Sequence, residues 1–304
     1  MPGPIQPPAG VPVPGAQPGV VAVAPPCDGP GCWSGAPSAA VGPDGAIWLA
    51  YRRRRREGHG RGAATVLARS EDGERFATIA ELPKERFGAE SLERPALIAM
   101  PGGRWRLYVS CATPSSKHWR IDLLEAAGPE ALADAGSRTA WPGDARWAVK
   151  DPVVRLHGDQ WQAWVCCHPL DEPGEEDRML TRYATSPDGV AWSWDGDALA
   201  PRRGAWDARG ARVTAVLPAA GVAYYDGRAS REENFDERTG LAVAAGPDLT
   251  RLRAVDGGPL AQSPAGGGAL RCLDVLELPG GGHRLFYEAA RAGGAHELRT
   301  ELVP

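Results

Sequence analysis

Lys150-Asp151-Pro152-Val-Val-Arg-Leu156 runs through His157-Gly-Asp159 into Trp161-Gln-Ala-Trp-Val-Cys166, and a charged loop then leads to Leu180-Thr-Arg-Tyr-Ala-Thr185. Bulky and polar residues alternate over runs of five to seven, and Gly, Pro and Asp break the runs, which is the period of β-strands and not of helices. A polar opener, an apolar strand, a tight turn and an aromatic-rich strand make up a unit that recurs along the chain. Glu93-Arg94-Pro95 opens Ala96-Leu-Ile-Ala99, which turns at Pro101-Gly-Gly103 into Trp105-Arg-Leu-Tyr-Val109. Near the C-terminus Val275-Leu-Glu-Leu278 turns at Pro279-Gly-Gly-Gly282 into Arg284-Leu-Phe-Tyr287.

Aligning the openers Gly35-Ala36-Pro37, Glu93-Arg94-Pro95, Lys150-Asp151-Pro152, Gly210-Ala211-Arg212 and Cys272-Leu273-Asp274 by their third residues gives spacings of 58, 57, 60 and 62. Five copies of one four-strand unit, with only Pro129-Glu-Ala-Leu-Ala-Asp134 as a short helical candidate, predict an all-β chain and a single five-bladed β-propeller. The last unit stops at its third strand, Leu298-Arg-Thr-Glu-Leu-Val-Pro304, while Val20-Val-Ala-Val-Ala24 precedes the first unit. The N-terminal strand is therefore expected to complete the last blade, close the ring and cover an open sheet edge. Residues 1–19 hold no charge and much Pro and Gly, and are expected to form a flexible arm ahead of a propeller spanning 20–304.

With 304 residues, a net charge of −4 and a sequence pI near 5.9, the chain gives no general reason to expect nucleic acid or a membrane surface as partner. It shows no N-terminal targeting pattern and no run approaching the ~18 apolar residues of a membrane span. A cytoplasmic protein with a small-molecule or oligosaccharide ligand is the expectation. Arg52-Arg-Arg-Arg-Arg56 follows a strand end and reads as a solvated charge run. The six cysteines show no CxxC pair; free thiols are expected, with a Cys27–Cys32 bridge as the alternative in an oxidising compartment. His59, His118, His168 and His296 fall in loops without ligand spacing, so neither metal nor cofactor is expected.

Ser70-Glu-Asp-Gly-Glu-Arg-Phe76 and Ser186-Pro-Asp-Gly-Val-Ala-Trp192 follow the Asp-box pattern, and Gly246-Pro-Asp-Leu-Thr-Arg-Leu252 is a worn copy. Their Asp and Ser side chains suit bonding to turn amides, so Asp72 and Asp188 read as fold devices. These turns join strands three and four, which puts function on the other face. There the openers meet the loops 52–62, 113–118, 168–178, 227–238 and 290–296, the longer and more charged connections.

The openers Glu93-Arg-Pro95 and Lys150-Asp-Pro152, the Asp-box turns, and the phrases Arg238-Thr-Gly-Leu-Ala242 and His283-Arg-Leu-Phe-Tyr-Glu288 together resemble the five-bladed propellers of glycoside hydrolase families 43, 32 and 130. The resemblance covers most of the chain and implies a carbohydrate-active protein with an axial pocket. In those families a first-blade carboxylate acts as base or nucleophile, a second-blade Asp tunes, and a third-blade Glu acts as acid. This chain departs from that set, since Ala36, Arg94, Ala211 and Leu273 stand in the phase that Asp151 fills.

The resemblance makes Asp151 and Glu93 the candidate catalytic carboxylates, because hydrolysis needs one group to donate a proton and another to supply or activate the nucleophile. Arg94, Lys150, Arg212, Arg271, Asp274 and His168 are the candidate polar binding residues, and Trp33 and Trp147 the candidate sugar-stacking rings. Asp28 swinging in, Glu93 substituting, or a phosphate nucleophile held by Arg94, Arg212 and Arg271 would each answer the missing carboxylate. A salt-bridge network, a non-catalytic binding propeller and an enzyme of specialised metabolism remain alternatives.

Overall fold

A computed structural model describes residues 7–17, 19–56 and 58–304. The first strand is β1 (Val20–Val23). The next four are β2 (Trp33–Val41), β3 (Ile47–Arg54), β4 (Gly62–Ser70) and β5 (Ala77–Pro83). Then come β6 (Ala96–Ala99), β7 (Trp105–Ala112), β8 (Trp119–Ala126) and β9 (Ser137–Trp141). The third set is β10 (Trp147–His157), β11 (Gln160–Pro169), β12 (Leu180–Ser186) and β13 (Ser193–Leu199). The chain continues with β14 (Gly210–Leu217), β15 (Val222–Arg228), β16 (Arg238–Ala244) and β17 (Leu252–Ala254), and ends with β18 (Leu270–Glu277), β19 (His283–Ala290) and β20 (His296–Val303). The helical candidate near residue 130 forms a single 3-10 turn, Glu130–Ala133.

Consecutive strands pair antiparallel in sets of four, β2 to β5, β6 to β9, β10 to β13 and β14 to β17. The last set is β18, β19 and β20, and β1 supplies its fourth strand by pairing Val20 with Thr300 and Val21 with Arg299. Single parallel bridges, Arg238 to Leu270 and Trp33 to His296, link the fourth unit to the fifth and the fifth to the first.

The alternation in the second strands builds the core. Side chains along a strand point to opposite faces in turn. In β3, Trp48 and Ala50 pack with Leu97 and Trp105 of the second unit, while Leu49 and Tyr51 pack with Phe286 and Leu298 of the fifth. Tyr108 and Leu123 meet Val154 and Trp161; Trp164 and Tyr183 meet Val213 and Tyr225; Tyr224 and Leu241 meet Leu273 and Leu285. Every unit thus buries both faces against neighbours. Each such large side chain contributes roughly 1.5–3 kcal/mol through its removal from water.

The Ser-x-Asp-Gly turns tie neighbours together from below. Asp72 Oδ1 accepts from the backbone N–H of Glu74 and of Arg75 at 2.9 Å, and Gly73 N–H donates to Ser70 Oγ at 2.8 Å. Asp188 and Ser186 repeat this arrangement. The turn aromatics then reach the preceding unit, Phe76 against Phe286 at 5.8 Å and Trp192 stacked on Trp141 at 4.3 Å. The worn copy keeps half of the pattern, with Thr250 N–H and hydroxyl donating to Asp248.

Two expectations are corrected here. Part of the residue 1–19 arm is docked: Val11 is buried among Tyr224, Leu241 and Leu270, Tyr224 Oη donates to Pro12 O at 2.7 Å, and Gly15 N–H donates to Glu301. Its Val residues supply the apolar contact that its Pro and Gly content hid; residues 1–6 and 18 lie outside the described residues. Cys27 and Cys32 form a disulfide instead of two free thiols. Glycines at positive φ, Gly29 (91°) and Gly31 (82°), fold the loop so that the two Cα atoms lie 5.4 Å apart, within bridging distance. The other four cysteines are free and buried.

Candidate functional site

In three of the five openers a β-bulge turns the first strand. The register slips between Gly35 and Ser38, between Lys150 and Val153, and between Arg271 and Asp274. Ala36 (φ 53°), Asp151 (φ 51°) and Cys272 (φ 53°) occupy the left-handed region in these bulges, a conformation costing on the order of 1–3 kcal/mol for a residue with a Cβ. Hydrogen bonds from the preceding unit hold it: Asp151 N–H donates to Ser110 Oγ at 2.8 Å, and Cys272 N–H to Asp226 Oδ1 at 2.9 Å. The fifth opener is therefore Arg271-Cys272-Leu273, one residue earlier than the sequence phasing. In the fourth unit Arg212, paired with Asp226, and not Gly210, paired with Arg228, holds the place of Lys150 and Arg271.

This corrected phase reveals the residues that the sequence reading missed. The second-strand residues facing Gly35, Lys150, Arg212 and Arg271 are Arg52, Cys166, Asp226 and Glu288. Asp226 and Glu288 each follow an aromatic pair, Tyr224-Tyr225 and Phe286-Tyr287, and that repeated phrase was the available signal. Glu237, just before β16, had no signal in the sequence.

Together these side chains form an ionic floor of two networks, one centred on Arg212 and the other on Arg271 and Glu288. Asp151 Oδ1 accepts from Arg94 N–H at 3.0 Å and Oδ2 from Arg212 Nη1 at 2.7 Å. Arg212 also donates through Nη2 to Asp226 at 2.6 Å. Arg271 bonds Glu288 at 2.7 Å and also Glu237, which takes a further bond from Arg228 at 3.0 Å. Arg52 joins Glu288 at 2.9 Å to Glu93. Burial alone would raise the Asp151 pKa, but Lys150, Arg212 and Arg52 outweigh it and hold Asp151 near 2. The same contest, won by Arg271 and its neighbours, lowers Glu237 and Glu288. Burial wins at Asp226, whose pKa is raised.

Above this floor lies a pocket of about 580 Å³. Its deep lining includes Arg52, Glu93, Lys150, Arg212, Glu237 and Arg271, and its rim comes from the loops of four units, through Arg61, Lys117, Asp177 and Phe235 among others, and from His168 near the end of β11. The face opposite the Ser-x-Asp-Gly turns thus carries the site. Lys150 sits over the Trp119 ring at 4.9 Å, 3.9 Å from Asp151, and burial followed by the nearby Arg212 lowers its pKa against the pull of Asp151.

Several expected site residues lie elsewhere. Asp151 is sealed beneath the pocket at 1% exposure, since the bulge turns its carboxylate toward Arg94 and Arg212. Arg94 and Asp274 lie by a separate cavity of about 240 Å³, where Arg94 bonds Pro37 O and Asp274, and Asp274 accepts from Ala39 N–H at 2.7 Å. Trp33 is buried, stacked on His296 at 4.5 Å, and Trp147 is covered by Arg146 and Arg182. The aromatic rings that do line the pocket are Trp119 and Phe235. Among the described residues no group of three or more His, Cys, Asp and Glu is arranged to hold a metal ion.

His168 gives a pH signature. Its Nδ1 contacts Glu176 O at 2.9 Å and its Nε2 lies 3.6 Å from Cys166 Sγ, while burial and then Lys150 lower its pKa to about 3. The folded value lies below the unfolded one of about 6.5, so the unfolded chain takes up the proton first. This contribution to stability is complete above that pH and is lost as pH falls toward 3. Urea midpoints at pH 7.5, 6 and 5 are expected to decline in the wild type and to decline less in His168→Gln; equal slopes would contradict the assignment.

No family model matches the chain, and no curated protein matches it in sequence. Solved structures do. A thermostable family-43 glycoside hydrolase superposes with a TM-score of 0.70 at 14% identity, covering 93% of this chain and 92% of that one. A β-1,2-mannobiose phosphorylase from Listeria innocua, in complex with β-1,2-mannobiose, gives 0.64 at 14% identity over 93% and 94%. A GH43_1 enzyme from Xanthomonas citri complexed with xylotriose gives 0.63 at 15% identity over 93% and 90%. The fold is that of the propeller glycoside hydrolases and phosphorylases.

Proposed function

We propose that the five units close into a five-bladed propeller whose axial pocket holds a glycoside, and that the pocket does not run hydrolysis by two free carboxylates. Ring closure is supported by the packing of the first unit on the fifth and by the bond from Ala39 to Asp274. The observation that carries the functional reading is the ionic floor. Asp151, Asp226, Glu237 and Glu288 each accept from at least one arginine, and Asp151 has no access to the pocket. A general acid must be protonated near neutral pH, and Asp151 and Glu237 are held in the opposite sense.

Glu93 and Glu237 are the deep carboxylates that line the pocket; Glu237 is held by Arg228 and Arg271, Glu93 is paired with Arg52, and Lys150, Arg212 and Arg271 present cations beside them. That lining favours a second reading, in which phosphate replaces the missing base and Glu93 supplies the single acid. A panel of aryl glycosides with and without phosphate separates the two. Binding without turnover is expected; release of the aryl group only with phosphate, abolished by Glu93→Gln, would establish phosphorolysis. Phosphate-independent release would overturn both. The expected cytoplasmic location fits the reduced form of the Cys27–Cys32 loop, and its bridge fits an oxidising compartment.

A further inference from the structure

Among the described residues Arg54 is a buried cation without a paired carboxylate. It is 5% exposed, its Nε has no hydrogen-bond partner, and among the described residues it forms no ion pair. Its guanidinium lies between two aromatic faces, 4.0 Å from the Trp33 ring centroid and 4.6 Å from that of Phe235. Among the described residues the nearby carboxylates Glu93, Glu237 and Glu288 are already paired with Arg52 or Arg271, and the pull of Glu288 does not offset the burial and like charge at Arg54. A buried charge without a counterion is costly, because its lost hydration is not replaced. Burial and the positive charges of Arg52, Arg271 and Arg61 lower its pKa to about 9, the physical mark of that uncompensated field.

Phe235 lies over this cation on the pocket side. It lines the axial pocket, is 37% exposed, and adopts φ 83°, a backbone region that residues with a side chain rarely occupy. Its loop leaves the fourth unit and straddles the site: Arg231 bonds Gly174 O of the third unit at 2.9 Å, while Phe235 reaches Trp33 of the first at 5.0 Å. A partly exposed ring on a strained backbone, covering an unneutralised charge, is what a gated ligand contact requires.

We propose that Arg54, beneath the Phe235 ring, is an anion subsite of the axial pocket, and that the glycoside bound there carries a carboxylate or phosphate group. The inference rests on the glycoside-binding reading and specifies its ligand class. The anionic group displaces the Phe235 ring and takes the planar donor fork of Arg54, while Trp33 remains as the stacking partner.

Isothermal titration of the full chain with galacturonic acid, galactose 1-phosphate, galactose and inorganic phosphate tests it. At least one of the two sugar anions should bind ten-fold or more tightly than galactose, and its affinity should fall between 50 and 500 mM NaCl. Arg54→Gln should abolish that preference while retaining galactose binding, and Phe235→Ala should keep the preference and not weaken anion binding. Should Arg54→Gln not fold, Arg54→Lys, which keeps the charge but loses the fork, should reduce the preference. Equal affinity for galactose and its anions, in a protein that binds both, overturns this inference alone. Binding of no sugar at all overturns the glycoside reading with it. Inorganic phosphate binding as tightly as the sugar phosphate overturns the assignment of the anion to the sugar.

Discussion

Arg212→Met is expected to lower the melting temperature by on the order of 10 °C, from a loss of roughly 3–5 kcal/mol. Arg212 is one side chain serving two buried carboxylates, Asp151 of the third unit at 2.7 Å and Asp226 of its own at 2.6 Å. Both are at most 1% exposed, so neither regains water when the guanidinium goes. Arg212→Lys should rescue little, since a single ammonium cannot fork two carboxylates. Asp151→Asn should cost less than Arg212→Met, because Arg212 keeps Asp226. Adding Asp151→Asn and Asp226→Asn to Arg212→Met should recover part of the loss by removing the stranded charges. Differential scanning calorimetry of this series decides the point: a single substitution Arg212→Met that melts within about 2 °C of wild type would show that the pairs contribute no net stability.

The repeat was legible because alternation and turn residues are local properties. Strands such as Leu180–Ser186 were bounded from sequence to within one residue at each end, and the pairing of Val20–Val23 with the last unit followed from counting strands. The opener phase was harder to read. A bulge adds a residue without any residue type that announces it, so the sequence spacing points to Cys272 as the start of the fifth opener although Arg271 holds that place. The slip hid Asp226 and Glu288, whose importance lies in which strand position they face. Aromatic rings were misassigned for a related reason. Trp33 and Trp147 stand close to openers in sequence, yet stacking on His296 and cover by the adjacent Arg146 and by Arg182 decide their exposure, and His296 and Arg182 come from other strands. Phe235 carries no periodic signal because its loop position depends on contacts with the first and third units.

Gly35→Ala is expected to cost a further 3–5 kcal/mol or so, although it adds one methyl group. Gly35 occupies the bulge position that Lys150 and Arg271 occupy in their own units, so the first unit omits a side chain where others present a cation. The vacancy is filled from the fifth unit. A Cβ at Gly35 would stand 2.0 Å from Glu288 Oε2 and 2.4 Å from its Cγ. Glu288 is fully buried and accepts from Arg52 at 2.9 Å, Arg271 at 2.7 Å and His296 at 2.7 Å, so it cannot move aside without releasing those partners. The pocket should then change as well, because Arg52 and Arg271 both line it and both are positioned by this carboxylate. A double-mutant cycle with Glu288→Ala isolates the effect. In the Glu288→Ala background the methyl group meets no carboxylate, and Gly35→Ala should cost less than about 1 kcal/mol there. Strictly additive losses would mean that the glycine is needed for its backbone freedom and not to admit Glu288.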